Sequence, residues 1–179
     1  MVIEVAADAK LNVSLDVTRA RGDGYHDVLT VMQSVGLHDD VKITCSRGGP
    51  VRIANSGGAL PRDRRNTAVR SAEVFFSYTG ITGWGAEIEI TKRIPVCAGM
   101  GGGSADAAAV LRGLNELFST GLDVRRMEDL GGVIGSDVPF CVSGGTALAE
   151  GRGEILTRLP GLPPCGIVIC KPPFSASTR

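Results

Sequence analysis

The sequence is short of charge of one sign, of long apolar runs, of paired cysteines and of the best-known nucleotide signatures. Each shortage excludes something. Lys and Arg together number 19, as do Asp and Glu, so the formal net charge is zero. No global field draws the chain to nucleic acid or to anionic lipid, and neither partner is expected. No apolar run approaches the roughly 18 residues that a membrane span needs. The N-terminus lacks the basic-then-apolar pattern of a secretory signal. The five cysteines are scattered at Cys45, Cys97, Cys141, Cys165 and Cys170, without a Cys-x-x-Cys spacing. That odd, dispersed set fits a reduced, cytoplasmic setting and points to neither a zinc site nor a disulfide framework. The sequence has no Gly-Lys-[Ser/Thr] of the P-loop kind, and its richest glycine stretch has no Gly-x-Gly-x-x-Gly register.

What is present is an ordinary soluble balance, 43% hydrophobic and 21% charged over 179 residues. That is about one domain with room for a sizeable core. The 25 glycines are dispersed rather than repetitive, so they read as turns plus one loop. Leu11, Val13, Leu15 and Val17 alternate with Lys10, Asn12, Ser14 and Asp16, which predicts a strand with an apolar, packed face and a polar face. Residues 19–27, "RARGDGYHD", predict a turn. "VLTVMQSVGL" and "DDVKITC" predict two further strands, and Val51–Ala54 a short one. Asn66 is placed to cap a helix that Gly80 ends. Ala86–Lys92 predicts a strand, and a second helix starts at Ser104 and ends near Gly121. Asp123 is placed to cap a third helix. "FCVSG", "GTALAEG" and "GEILTRL" read as a closing run of strands, and "PCGIVICKPP" as one more. Strands and helices without regular alternation predict the α+β class.

One stretch stands apart: "PVCAGMGGGSADAAAVL", Pro95–Leu111. Small residues let successive backbone N–H groups turn inward around an anion. A helix N-terminus directly behind adds unpaired donors and the positive end of a dipole. Together these make a phosphate cradle. By composition alone the same glycines also suit a flexible connection with a tight helix start. Bulk at Gly102 is expected to intrude where the backbone must approach the anion.

The order of residues around the loop resembles the phosphate-binding motif of the GHMP kinases (galactokinase, homoserine kinase, mevalonate kinase, phosphomevalonate kinase). In that motif a Pro is followed by Gly-Leu-Gly-Ser-Ser or Gly-Leu-Gly-Gly-Gly-Ser and a small-residue helix. Met100 stands here at the usual Leu. The triple glycine before Ser104 resembles the branch whose substrate is a cytidine diphosphate-linked methylerythritol. "AKLNVSLDV" (9–17), "RGDGYHDV" (21–28) and "GSDVPFCVSGGTALAEGRGE" (135–154) resemble further blocks of that branch, in its order. The resemblance covers nearly the whole chain. It implies a ribosomal protein S5 domain 2-like α+β fold and transfer of the ATP γ-phosphoryl group to the 2-hydroxyl of the substrate. That reaction is a step of the non-mevalonate route to isoprenoid precursors.

Carried over residue by residue, the resemblance makes Lys10 and Asp137 catalytic. Asp137 is expected against the acceptor hydroxyl as general base, with Lys10 orienting that oxygen and offsetting phosphoryl charge. On its own, Asp137 also reads as a turn aspartate bonding its backbone. ATP is expected along Pro95, Val96, Cys97, Ala98, Gly99, Met100, Gly101, Gly102, Gly103, Ser104, Ala105 and Asp106, with Asn66 and Lys92 near the adenine. Asn12, Tyr25 and His26 are expected on the substrate, with the Tyr25 ring stacked on cytosine. Ser104 is expected to cap its helix and to reach Mg²⁺, which arrives mostly ligated by ATP. Residues 1–165 are read as the family's N-terminal ATP-binding domain. Residues 166–179 are read as a final strand and the start of a linker to a C-terminal domain that this span lacks, so that the span alone is inactive. Two rivals stand beside this reading: another kinase of the family, and a non-catalytic nucleotide-binding module.

Overall fold

The computed structural model describes residues 1–22, 24–55 and 60–171. The chain opens with two long antiparallel strands, β1 (Val2–Ala20) and β2 (His26–Arg47). There follow β3 (Val51–Asn55), α1 (Thr67–Thr79), β4 (Trp84–Thr91), α2 (Gly102–Leu117), α3 (Val124–Ile134), α4 (Val138–Ser143), β5 (Thr146–Glu150) and β6 (Ile155–Arg158). The sheet runs β3-β4-β2-β5-β6, and β1 pairs along β2. Only β3–β4 is parallel among these pairings.

One face of the sheet is apolar and carries the helices. Val41, Ile43, Cys45, Ile88 and Ile90 join Val69, Phe75, Val110, Leu111 and Leu114 of α1 and α2 in a single core. The opposite face is charged, with cross-strand pairs Lys42–Glu89 at 3.3 Å and Arg52–Glu87 at 2.5 Å. Alternation in β2 and β4 therefore sorts apolar from polar. The alanine-rich α2 approaches the sheet closely: a Cβ on Gly113 would sit 2.6 Å from Ile43 Cδ1. A smaller cluster of Met32, Phe140, Ala147 and Ala149 fills the space beneath α4.

The expected caps form. Asn66 Oδ1 accepts from the Ala68 N–H at 2.9 Å, Asp123 Oδ1 accepts from the Arg126 N–H at 2.8 Å, and Gly80 ends α1 at φ 68°. Four expectations need correction. The two strands expected over residues 28–45 are one, because β2 bends without breaking and trades β5 for β4 as its neighbour. "FCVSG" is helical, not extended: Pro139 in the first turn of α4 supplies a pre-set φ and gives up no needed N–H. Val13, Leu15 and Val17 do alternate, but each is more than half exposed, because no described element covers that side of β1. Residues 164–171 of "PCGIVICKPP" pair with no strand; they lie beside residues 33–37 of β2 in irregular form, with Val168 98% exposed, and the linker expected after them falls outside the described residues.

Candidate active site

β1 and β2 change register between Asp8 and Lys10. The irregularity turns both Ala9 and Lys10 inward, so a lysine on the polar face is only 6% exposed. A buried ammonium needs partners, and three groups fix this residue. Lys10 Nζ donates to Asn12 Oδ1 at 2.7 Å and lies 3.2 Å from Asp137 Oδ2. The Lys10 N–H donates to Met100 O at 3.0 Å. Lys10 thus ties the first strand to the glycine loop and its tip to Asp137, from three distant parts of the sequence.

Asp137 sits between α3 and α4, not at the expected helix-to-strand junction, and its side chain makes no capping hydrogen bond. Its side chain pairs instead with Lys10, which leaves the turn-capping reading without support. Behind the pair, the thiol of buried Cys141 is pushed up to about 12, by burial first and then by Asp137. It is a packing group rather than a nucleophile.

The glycine loop wraps a cavity of about 350 Å³. Pro95, Val96, Cys97, Ala98, Gly99, Met100, Gly101, Gly102, Gly103, Ser104 and Asp106 line it, together with Asn66 and Lys92. Gly99 (φ 71°) and Gly101 (φ 69°) adopt the left-handed conformation that favours glycine. Cys97 does so without that licence, at φ 55°. The helix begins earlier than expected. Gly101 is the N-cap of α2 and no side chain caps it, so Ser104 lies inside the first turn instead of capping it. That leaves the first-turn N–H groups beside the cavity, as an anion requires. Ala105 departs from the expected lining; it is buried in the core.

Two carboxylates not anticipated as a pair hold Lys92 in place, Asp106 at the cavity wall and Asp39 buried behind it. Lys92 Nζ donates to Asp39 Oδ2 at 2.5 Å and to Asp106 Oδ2 at 2.9 Å. Asp39 Oδ1 accepts from the N–H groups of Arg93 (2.5 Å) and Ile94 (2.8 Å), which fixes the chain where β4 turns into the loop. Burial works to lower the Lys92 pKa, but Asp106 and Asp39 outweigh it and hold it above the ordinary value. For Asp106, burial dominates the pull of Lys92 and raises the carboxyl to about 7. Its Oδ1 is buried without a hydrogen-bond partner among the described residues.

The folded state therefore keeps a proton on Asp106 that the unfolded chain, at the ordinary 3.8, has already lost. The stability linked to this group is full below about pH 4, falls as pH rises through the interval to about 7, and is flat above. In full-length protein, Asp106→Asn should gain melting temperature relative to the parent as pH rises across that interval. A difference that does not vary with pH would mean that Asp106 is ionised throughout.

Two expected ligands are occupied by the protein itself. Asn66 caps α1 and donates through Nδ2 to Pro61 O at 3.0 Å. Asn12, expected on the substrate, holds Lys10 and donates to Thr30 Oγ1 at 2.7 Å. Tyr25 and His26 are exposed where the first hairpin turns. The β5–β6 turn links them to the rest of the site: the Val28 N–H donates to Gly151 O at 2.7 Å, and the Arg152 guanidinium lies over the Tyr25 ring.

The cradle fits a polyphosphate because the first turn of α2, which no side chain caps, borders the cavity, while the glycines let the loop pack closely on its neighbours. A Cβ on Gly101 would fall 2.9 Å from Lys10 Cγ, and one on Gly102 would fall 3.2 Å from Lys92 Nζ. Bulk at Gly102, expected to intrude on the anion, thus meets Ile94 and Lys92 first. For a divalent cation, no cluster of three or more His, Cys, Asp or Glu side chains gathers among the described residues. Within the loop and the first turn of α2, the side-chain oxygens at the cavity are those of Ser104 and Asp106.

Comparison with known proteins follows the same lines. Residues 66–145 match the family model described as the GHMP kinases N terminal domain. The 4-diphosphocytidyl-2-C-methyl-D-erythritol kinase of Pelotomaculum thermopropionicum is 49% identical over 178 residues, covering 99% of this chain and 62% of that protein. The chain thus spans about three fifths of the length of the curated relatives it matches. A crystal structure of 4-(cytidine 5'-diphospho)-2C-methyl-D-erythritol kinase superposes with a TM-score of 0.70 at 36% identity, covering 88% of this chain and 55% of that one. The homoserine kinase of Cytophaga hutchinsonii superposes with a TM-score of 0.67 at 25% identity, covering 89% of this chain and 52% of that one.

Proposed function

We propose a function from one premise: the chain belongs to the GHMP kinases, whose N-terminal domain it carries. The protein containing it transfers the γ-phosphoryl group of ATP to the 2-hydroxyl of 4-diphosphocytidyl-2-C-methyl-D-erythritol, a cytoplasmic step of the non-mevalonate route. The observation that carries the chemistry is the ion pair between Lys10 and Asp137 at 3.2 Å, docked on the glycine loop through the Lys10 N–H. The substrate is supported by the 49% identity to a relative of that name and by the exposed Tyr25–His26 pair.

In this reading the acceptor hydroxyl lies against Asp137. Its oxygen attacks the γ-phosphorus, its proton passes to Asp137, and the bridging oxygen leaves with ADP. Lys10, held by Asn12, orients the acceptor oxygen and offsets charge on the transferring group. The loop N–H groups and the start of α2 hold the phosphates, and the Asp39–Lys92–Asp106 cluster sets the loop's position. Mg²⁺ would ride on the phosphates near Ser104 and neutralise their charge. The curated relatives are longer than this chain; enclosure of both substrates takes a second wall as well as the surfaces described, and residues 1–179 alone are expected to turn over negligibly without one.

The test is a panel assay of full-length protein with ATP and the diphosphocytidyl alcohol, homoserine or mevalonate. ADP release with the first alone is the expected result. Turnover of homoserine or mevalonate without the diphosphocytidyl alcohol would overturn the substrate. Loss of turnover with every alcohol, alongside intact ATP binding, would favour a non-catalytic nucleotide module.

A further inference from the structure

We infer that Arg152 is a specificity-determining residue, whose guanidinium meets the diphosphate that joins base and alcohol in the substrate. The inference rests on the reading above, in which Tyr25 faces the base and Asp137 faces the acceptor hydroxyl.

The turn between β5 and β6 spans the distance between those two groups. Gly151 O accepts from the Val28 N–H at 2.7 Å, which pins the turn to the root of the first hairpin. The guanidinium carbon of Arg152 stands 5.3 Å from the centroid of the Tyr25 ring. At Gly153, φ is 109°, and a Cβ there would lie 3.7 Å from Asp137 Oδ1. Three consecutive residues therefore lie against the hairpin, over the aromatic ring and next to the carboxylate. A molecule with its base at Tyr25 and its hydroxyl at Asp137 must cross this turn. The segment that crosses is the diphosphate.

A planar guanidinium suits paired phosphate oxygens better than a point charge does. The guanidinium is also loosely held in this structure. Its ion pair to Glu154 is 3.7 Å long between groups 36% and 29% exposed, a contact of small worth. Its place over the ring is an exposed cation–π contact, also weak. A base stacking on Tyr25 displaces the cation from the ring, and the diphosphate attached to that base is its next partner. Two other cations of the site are engaged elsewhere: Lys10 with Asp137 and Asn12, and Arg21 with Asp27 at 2.7 Å. An alcohol without a diphosphate gains nothing from Arg152, so this residue separates a nucleoside-diphosphate-linked substrate from a plain one.

The experiment uses full-length protein with Arg152→Gln and Arg152→Lys. Cytidine 5'-diphosphate and cytidine serve as competitive probes, and the diphosphocytidyl alcohol as substrate at saturating ATP. Arg152→Gln should raise the KM for the alcohol about tenfold, one charge-assisted contact in affinity terms, with the KM for ATP held within about twofold. The parent's preference for cytidine 5'-diphosphate over cytidine should shrink by a similar factor, and Arg152→Lys should restore most of it. An unchanged preference in Arg152→Gln, or equal weakening of both probes, would overturn the inference while an active parent leaves the substrate assignment standing. A parent that cannot phosphorylate the diphosphocytidyl alcohol would overturn the assignment and this inference with it.

Discussion

Asp137→Asn in full-length protein is expected to lower kcat by about 10²–10⁴-fold, the usual worth of a positioned general base. The substitution keeps size and shape but removes the negative charge, and with it the ability to take the acceptor proton and the ion pair to Lys10. Structural side effects should be small for three reasons. The side chain caps no helix. It is 30% exposed, so its loss strands no buried charge of its own. Lys10 keeps the Asn12 carbonyl oxygen as an acceptor at 2.7 Å, and the new amide can still accept from it. KM for ATP should move little, because the cradle is built from backbone and from the Asp39–Lys92–Asp106 cluster, which does not include Asp137. Steady-state kinetics beside a thermal melt check both claims. Near-normal kcat in a folded variant would remove Asp137 from the chemistry and leave it as the counter-ion of Lys10.

Much of this site was legible in the sequence because its signals are local. The glycine run ahead of an alanine-rich helix, and Asn66 and Asp123 ahead of theirs, follow from backbone freedom and capping, which neighbouring residues decide. Lys10 was legible as a polar residue on a patterned strand, but its burial was not: that follows from a register change against β2, a property of the pair of strands. The same limit hid the role of Asn12, whose partner Thr30 lies across the hairpin. Asp39 stayed invisible for a related reason. It sits in the middle of β2 beside another aspartate, and only the pairing of β2 with β4 brings Lys92 to it. "FCVSG" misled because Phe and Val favour strands by side-chain shape, while Pro139 at the start of a turn outweighed them by fixing the backbone. The exposed faces of Val13, Leu15 and Val17 show that alternation reports which side is apolar, not whether anything covers it.

Gly101→Val should cost catalysis more than any other single change in the loop, and the reason separates it from its neighbours. A valine there meets two obstacles. The backbone is left-handed at φ 69°, where a β-branched residue is a steric outlier. Its Cβ would also lie 2.9 Å from Lys10 Cγ and 3.2 Å from Lys10 Cε. Lys10 cannot step aside, since its N–H is bonded to Met100 O and its ammonium is held between Asn12 and Asp137. Either the loop leaves the strand or the lysine leaves the carboxylate, and both disturb the line between donor phosphate and acceptor oxygen. A displacement of about 1 Å at such a centre costs on the order of 10²-fold, so kcat/KM for ATP should fall by at least about that factor. Gly99 provides the control. It too is left-handed, at φ 71°, but a Cβ there meets nothing within 4 Å. Gly99→Ala therefore carries backbone strain without touching Lys10, and should lower the melting temperature while leaving kcat near normal. Gly102→Ala lies between the two, because its Cβ presses on Ile94 Cγ2 and on the Lys92 ammonium at 3.2 Å, but not on Lys10. If Gly101→Val keeps kcat/KM within about threefold of the parent while Gly99→Ala loses more, well short of the tenfold that 1.4 kcal/mol represents, then the contact between loop and lysine does not position the reaction.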